Sequence, residues 1–499
     1  MNVIAQGSRA QSRSSRRNGL IRAPPFGFPW PAPPRLTAAA IIALGAGATL
    51  VLNFPGQLSY DSVAQLAEGR EGVYGGVHPP VMSWLLGLAD AVRPGAALFV
   101  VFDTVLIAGA LMALVLLARR PSWPSTLLAG VLAAIPQLLI FPAIVWKDVL
   151  FAATATAGFA SLAQAAVWWR GAAKRFALLA LALVLLTLAA LARQNGAVVL
   201  PFGAAAAGWI AAVSKGPAPR CRGWIHGIGF LAAGAASIMI AAAALNARTE
   251  AGGALGQQWE SLQTYDIVGA ISLDPRLDLR VLASRSPWLE RLLETDGAAA
   301  YSPIRINGLG PTLDRMTARP QSARIVAEQW AEIIRLHPLL YLRVRARAFE
   351  WVFLTPVIGD CVPVYTGLDG PPEEMGSLGL SRRQTNMDRA LARYALAFTL
   401  TPVYAHAIYG AVGFVLLIGL LRRRRAPDIA VAAMLASAIA FALSFAVISI
   451  ACDYRYLYYL DLAVIAAALY AAATWPGGPI APRPEPPDRA GFFVKRARE

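Results

Sequence analysis

Charged residues are scarce in this chain: they make up 15% of its 499 residues, against 57% that are hydrophobic, and the mean hydropathy is +0.51. Water-soluble domains carry about 25% charged residues, so the deficit excludes an ordinary soluble protein and leaves an integral membrane protein. Cysteine is nearly absent. Cys221, Cys361 and Cys452 are the only three, and no CxxC or other metal-ligand spacing relates them. Cys361 and Cys452 could both face an oxidising side, but no disulfide is expected between them. The sequence also lacks an internal repeat, and it has no Gly-rich phosphate loop in the strand-and-helix setting such loops need. Acidic residues are outnumbered by Lys and Arg, 29 to 45, for a formal charge of +16. In a soluble protein that excess would point to nucleic acid. Here the cations sit mostly in short turns between apolar runs, which is the positive-inside pattern, and nucleic acid is set aside.

What the chain does have is a series of apolar runs, and about 20 residues are needed to cross a bilayer. Runs at 36–54, 95–118, 125–143, 147–168, 176–193, 196–213 and 224–246 give seven spans, and 396–421, 428–450 and 455–474 give three more. Residues 1–35 hold six arginines and a Pro-rich stretch. They are expected to form a disordered cytoplasmic tail, being long for the basic part of a signal peptide, and NFPGQ, at the end of the apolar run that follows, is a poor cleavage site. With the N-terminus inside, the turns RRPSWP, WWRGAAKR, SKGPAPRCRGW and RRRRAPD and the basic tail 475–499 all fall inside. The short outer turns then hold only the isolated cations Arg70, Arg93, Lys147, Arg193 and Arg455, so both termini inside satisfies the charge rule.

This topology gives a seven-span module, 36–246, with a first outer loop at 55–94. A large polar loop follows at 247–395, then three further spans at 396–474. Within the large loop a helical pattern runs from Ser322 to Arg335. The segment LLYLRVRARAFEWVF follows, carrying Arg343, Arg345, Arg347 and Glu350. Each such charge costs about 2.5 to 3.5 kcal/mol at a span centre, so this piece is expected along the membrane surface. The fold class is therefore all-α and polytopic, with about ten transmembrane helices and interfacial helices in the first outer loop.

The stretch Asn53 to Pro80 is far more polar than its surroundings. Tyr60-Asp61-Ser62 opens a short helical pattern there, with Ser59 or Asp61 able to cap it, and His78-Pro79-Pro80 opens a short apolar helix. The topology puts Asp61 and His78 on one side with Trp146-Lys147-Asp148, with Arg193-Gln194-Asn195-Gly196 and with Asp453-Tyr454-Arg455-Tyr456. Singly, these read as a helix cap, a snorkelling pair, a tight turn and an aromatic belt. Together they place three cations, Lys147, Arg193 and Arg455, at the level of a carboxylate. Such a set suits an anionic head group. A sugar on polyprenyl phosphate needs cations to hold its departing phosphate and a base for the acceptor hydroxyl. Asp61 is the expected base. Tyr60, His78, Lys147, Asp148, Arg193, Asn195, Asp266, Asp453, Arg455 and Tyr456 are the expected binding set.

The ordered set YDSVAQ, HPP, WKDV, RQNG, HPLLY and DYRYLYY resembles the GT-C superfamily of integral-membrane glycosyltransferases, in particular a bacterial branch using polyprenyl-phosphate sugar donors. The resemblance implies a catalytic Asp in the first outer loop, matched by Asp61, and phosphate-holding cations, matched by Lys147, Arg193 and Arg455. It implies a lipid or cell-surface glycan as acceptor, and a bacterial cytoplasmic membrane with the site on its outer face. The chain departs from the pattern in one respect: many members carry an acidic pair where this one has Tyr60-Asp61-Ser62. A second acid would have to come from Asp148, Glu68 or Asp266. A single carboxylate is a poor seat for a divalent cation, which leaves metal use open and no cofactor certain. Two other functions stay in view, a flippase for lipid-linked sugars and a polymerase or ligase using polyprenyl-diphosphate donors.

Overall fold

The computed structural model describes residues 37–75, 78–118, 122–214, 221–249, 254–319 and 321–474. The N-terminal tail, the C-terminal tail and most of the basic turns RRPSWP and SKGPAPRCRGW lie outside them.

Long apolar, Ala-rich stretches favour the helix, and in a bilayer every backbone group must be bonded internally. The first part of the chain accordingly runs as α1 (Thr37–Asn53), α2 (Tyr60–Glu71), α3 (Pro80–Val92), α4 (Ala97–Val115), α5 (Trp123–Ala134), α6 (Pro136–Leu139), α7 (Lys147–Val167), α8 (Ala172–Ala192), α9 (Val199–Ser214) and α10 (Cys221–Asn246). After α11 (Ala254–Leu273) come four short helices, α12 to α15 (Arg280–Arg285, Pro287–Leu292, Ala298–Ala300 and Gly310–Thr317). The remainder is α16 (Ser322–Leu336), α17 (Pro338–Phe353), α18 (Pro372–Leu378), α19 (Asn386–Leu396), α20 (His406–Arg423), α21 (Ala426–Ile448) and α22 (Tyr458–Thr474).

The protein is an all-α, multi-pass membrane protein. Among the described residues eight helices are long and apolar enough to cross a bilayer, and α5 with α6 makes a ninth candidate, bent by 75°. Pro136 supplies the bend, since its ring and missing N–H interrupt the helix there. At 17 residues α1 falls just short of that length.

Helices α7 and α22 are buried along almost their whole length, at the centre of the bundle. Their inward faces are rich in Ala, among them Ala152, Ala155, Ala160, Ala463 and Ala467. Small side chains let neighbouring backbones approach closely, and that is how helices associate in lipid. Helices α11 to α17 enclose a second core around Tyr265, Leu282, Leu293, Val326, Ile333 and Val344.

Two features shape the loop between α1 and α4. Helices α2 and α3 cross at Gly69 and Gly87, where a Cβ on either glycine would come within 2.2 Å of backbone oxygen. Residues 57 and 58 then run extended: Gln57 pairs with Ile144 and Leu58 with Leu368, each in parallel. The loop is thereby tied to the turn before α7 and to the segment before α18.

One expectation is corrected. Cys361 and Cys452 form a disulfide, their Cα atoms 5.1 Å apart, which is ordinary bridging geometry; a sequence separation of 91 gave no sign of it. Two carboxylates are buried in apolar helices, Asp103 partway along α4 and Asp461 in the first turn of α22.

Candidate functional site

Four segments meet at one end of the bundle: the start of α2, the start of α7, the turn after α8 and the turn before α22. Their convergence has local causes. Gly56, at φ +122°, turns the chain after α1 in a place where a Cβ would lie 2.7 Å from Val100. The Gln57 pairing that follows sets the Asp61 helix beside residues 143–145. Ser62 Oγ donates to the Val145 carbonyl at 2.5 Å, and Trp146 Nε1 donates to Ser59 Oγ at 2.9 Å. Asp61 and Lys147 are held close by these contacts.

The turn before α22 is fixed from several sides. Arg345 donates to the carbonyls of Val447 (2.6 Å) and Ser449 (3.0 Å) at the end of α21, where a cation also suits the helix dipole. The Cys452 N–H donates to the Ile304 carbonyl at 2.9 Å, and the disulfide pins the same residue. Arg455 emerges from this frame.

Arg455 is the centre of the site. Its Nη2 donates to Asp61 Oδ2 at 2.8 Å and lies 3.0 Å from Asp453 Oδ2, and its Nε is 3.8 Å from Asp148 Oδ2. The guanidinium stands 4.9 Å from the centre of the Trp146 ring and 5.8 Å from that of Tyr456. Arg193 is bonded to Asp148 and enclosed by the rings of Phe441, Phe445 and Tyr456 at 5.3 to 5.7 Å. His78 bridges the remaining groups: Nε2 is 3.9 Å from Asp61 Oδ1 and Nδ1 is 3.0 Å from Lys147 Nζ. Among the described residues Lys147 has no carboxylate partner.

Charge states follow from these surroundings. Burial raises the Asp61 carboxyl, but Arg455, His78 and Lys147 outweigh it and hold the group below its ordinary 3.8. Burial, then the Lys147 charge, pulls His78 down to about 4. His78 is thus neutral near pH 7, so its Nδ1 accepts from Lys147 and Nε2–H turns toward Asp61. Burial lowers Arg193 to about 10, which leaves it cationic.

Of the residues expected from sequence, Asp61, His78, Lys147, Asp148, Arg193, Asp453, Arg455 and Tyr456 come together. Asn195 lies behind them, donating to Ser444 Oγ at 2.7 Å and so tying its turn to α21. Tyr60, by contrast, is 61% exposed. Asp266 is elsewhere. It pairs with Arg345 at 2.8 Å and accepts from Trp330 Nε1 at 2.9 Å, inside the second core. Burial raises its carboxyl to about 6. Glu68 is likewise occupied, accepting from Ser83 Oγ and the Gly75 N–H. Trp146 and Phe445, the rings under Arg455 and Arg193, were not expected. Trp146 adjoins Lys147 in the sequence and was within reach; Phe445 is one apolar residue among many in its span.

No family model matches the chain, and no curated protein does. Three solved structures from Archaeoglobus fulgidus are similar in part. One is the archaeal oligosaccharyltransferase AglB in complex with an inhibitory peptide and a dolichol-phosphate, at 16% identity and TM-score 0.39, covering 87% of this chain and 50% of that one. A second, the oligosaccharyltransferase tethered to an acceptor peptide, has 14% identity and TM-score 0.36, covering 93% and 53%. The apo form of the enzyme gives 14% and 0.37, covering 88% and 50%. The chain spans about half the length of these proteins.

As to metal, no group of three or more His, Cys, Asp or Glu side chains is placed to hold an ion among the described residues. Both Asp61 and Asp148 are already bound to guanidinium groups. That donor set does not fit a divalent cation, which needs several free oxygens. An apolar cavity of about 440 Å³ opens between α3, α8 and α10, lined by Val81, Trp84, Leu188, Leu191, Leu245 and Arg248. Val81 follows His78 by three residues and Leu191 precedes Arg193 by two, but none of the clustered charged residues lines the cavity.

Proposed function

We propose that the protein is a GT-C-type glycosyltransferase that moves a sugar from a polyprenyl-phosphate carrier to a hydroxyl acceptor, a lipid or cell-surface glycan, on the outer face of a bacterial cytoplasmic membrane. The observation that carries this reading is Asp61 in contact with Arg455 and His78, with Lys147 unmatched by any carboxylate among the described residues. Lys147 and Arg455 hold the donor phosphate. Arg193, already matched by Asp148, supports Arg455 from behind. The isoprenoid tail lies in the apolar cavity between α3, α8 and α10.

The electrostatics suit such an exchange. Without substrate, Arg455 spends its charge on Asp61, which makes the carboxylate a weak base. A phosphate arriving at Lys147 and Arg455 draws the guanidinium toward itself, and Asp61 loses a partner that favours its ionised form. Its basicity then rises as the acceptor arrives. The acceptor oxygen attacks the anomeric carbon while its proton passes to Asp61. The bond between that carbon and the phosphate oxygen breaks, and the phosphate leaves with the electron pair, stabilised by Lys147 and Arg455.

The test is transfer of radiolabelled sugar from polyprenyl-phosphate donors by the protein in bilayers, comparing wild type with Lys147→Ala. Transfer that depends on Lys147 supports the reading. Movement of the intact donor across vesicles without sugar release would replace it with the flippase.

A further inference from the structure

The turn that carries Arg455 has an inward face that the reaction just described does not use. Tyr454 and Arg455 are neighbours on a single 3₁₀ turn, Tyr454–Leu457, where successive side chains diverge by about 120°. Arg455 faces Asp61; Tyr454 faces the bundle and is wholly buried.

Its hydroxyl donates to Asp461 Oδ2 at 2.5 Å and accepts from Gln137 Nε2 at 2.8 Å. Asp461 Oδ1 is 2.9 Å from His406 Nδ1. His406 Nε2 is buried without a partner, so the ring proton belongs on Nδ1, donating to Asp461. The imidazole stacks on the Tyr454 ring, centroids 4.2 Å apart, and Tyr458 Oη donates to the Gln137 carbonyl at 2.8 Å. Gln137 of α6 and Asp461 of α22 thus meet on one hydroxyl, and His406 at the start of α20 reaches it through Asp461.

Buried polar sets of this kind contribute little net stability over apolar side chains of equal volume. What they supply is direction, because directional hydrogen bonds specify one arrangement of a turn where apolar packing tolerates several. Resting on the phosphate reading above, we propose that His406, Asp461 and Tyr454 are positioning residues that set the place of the Arg455 guanidinium for the donor phosphate.

The test is binding of farnesyl phosphate to the full-length protein in detergent, by titration calorimetry, with melting temperature followed in parallel. Tyr454→Phe removes one hydroxyl and keeps the ring contacts. Tyr470→Phe is its matched control: Tyr470 Oη donates to Asp428 at 2.6 Å near the far end of α22, so it loses the same kind of buried bond away from Arg455. Both variants are expected to melt earlier, but only Tyr454→Phe should weaken binding, by about tenfold or more, the scale of a misplaced charge-assisted contact. Asp461→Leu should follow Tyr454→Phe, while Asp461→Asn, which keeps an oxygen for Tyr454 but turns an amide N–H toward His406, should weaken binding less than Asp461→Leu. Equal binding by Tyr454→Phe and Tyr470→Phe, or wild-type binding by Asp461→Leu, overturns the inference and leaves the phosphate reading standing. Failure of wild type to bind, or binding unaffected by Arg455→Ala, overturns the phosphate reading and this inference with it.

Discussion

Replacing Asp61 by Asn separates two jobs the carboxylate could have. The amide oxygen still accepts from Arg455, which now lies 2.8 Å from Asp61 Oδ2, so the turn before α22 keeps its outward contact. The lost properties are the negative charge and the ability to take a proton. General-base catalysis contributes about 10²- to 10⁴-fold, equivalent to about 3 to 5 kcal/mol of barrier, and kcat for sugar transfer should fall by that factor. Binding should move the other way. Asp61 is one of three carboxylates, with Asp148 and Asp453, that contact Arg455, and removing it leaves the cations less matched. The donor's Kd should therefore stay level or tighten. The assay pairs single-turnover transfer of radiolabelled sugar with direct titration of the donor. Undiminished transfer would remove Asp61 from the base role. Weaker donor binding with unchanged kcat would make it only a tether for Arg455.

Three further outcomes follow from the same geometry. His78 is held neutral down to about 4 against its ordinary 6.5; between those values the unfolded chain takes up a proton that the folded one refuses. Stability is thus fully present above pH 6.5 and is lost as pH falls toward 4, by on the order of 3 kcal/mol; His78→Asn should flatten that part of the melting-temperature profile. Asp266→Asn breaks a buried pair with Arg345, which should cost about 3 to 5 kcal/mol and lower the melting temperature, read by thermal unfolding. Gly87→Ala pushes a methyl to 2.2 Å from the Gly69 carbonyl; prising α2 from α3 should cost about 1 to 3 kcal/mol and slow sugar transfer by displacing Asp61, measured by the same single-turnover assay.

The amino-acid sequence by itself determined the fold class and most of the candidate site. Apolar runs of spanning length have few alternatives in a bilayer, so the long helices could be read directly. The polar clusters at Asp61, His78, Lys147, Arg193 and Arg455 stood out because charge is costly near lipid and was otherwise rare. Alternation of spans assigned them to one end of the bundle without any knowledge of packing. Rotation and contact are another matter, since they depend on which helix faces which. Only the tertiary structure put Arg455 on Asp61, sent Asp266 into a separate core with Arg345, and joined Cys361 to Cys452. It alone turned Tyr454 inward to Asp461 and His406 while its neighbour turned outward. A hydropathy pattern records how far a residue is from water, and it carries no information about which buried group, tens or hundreds of residues away, will meet it.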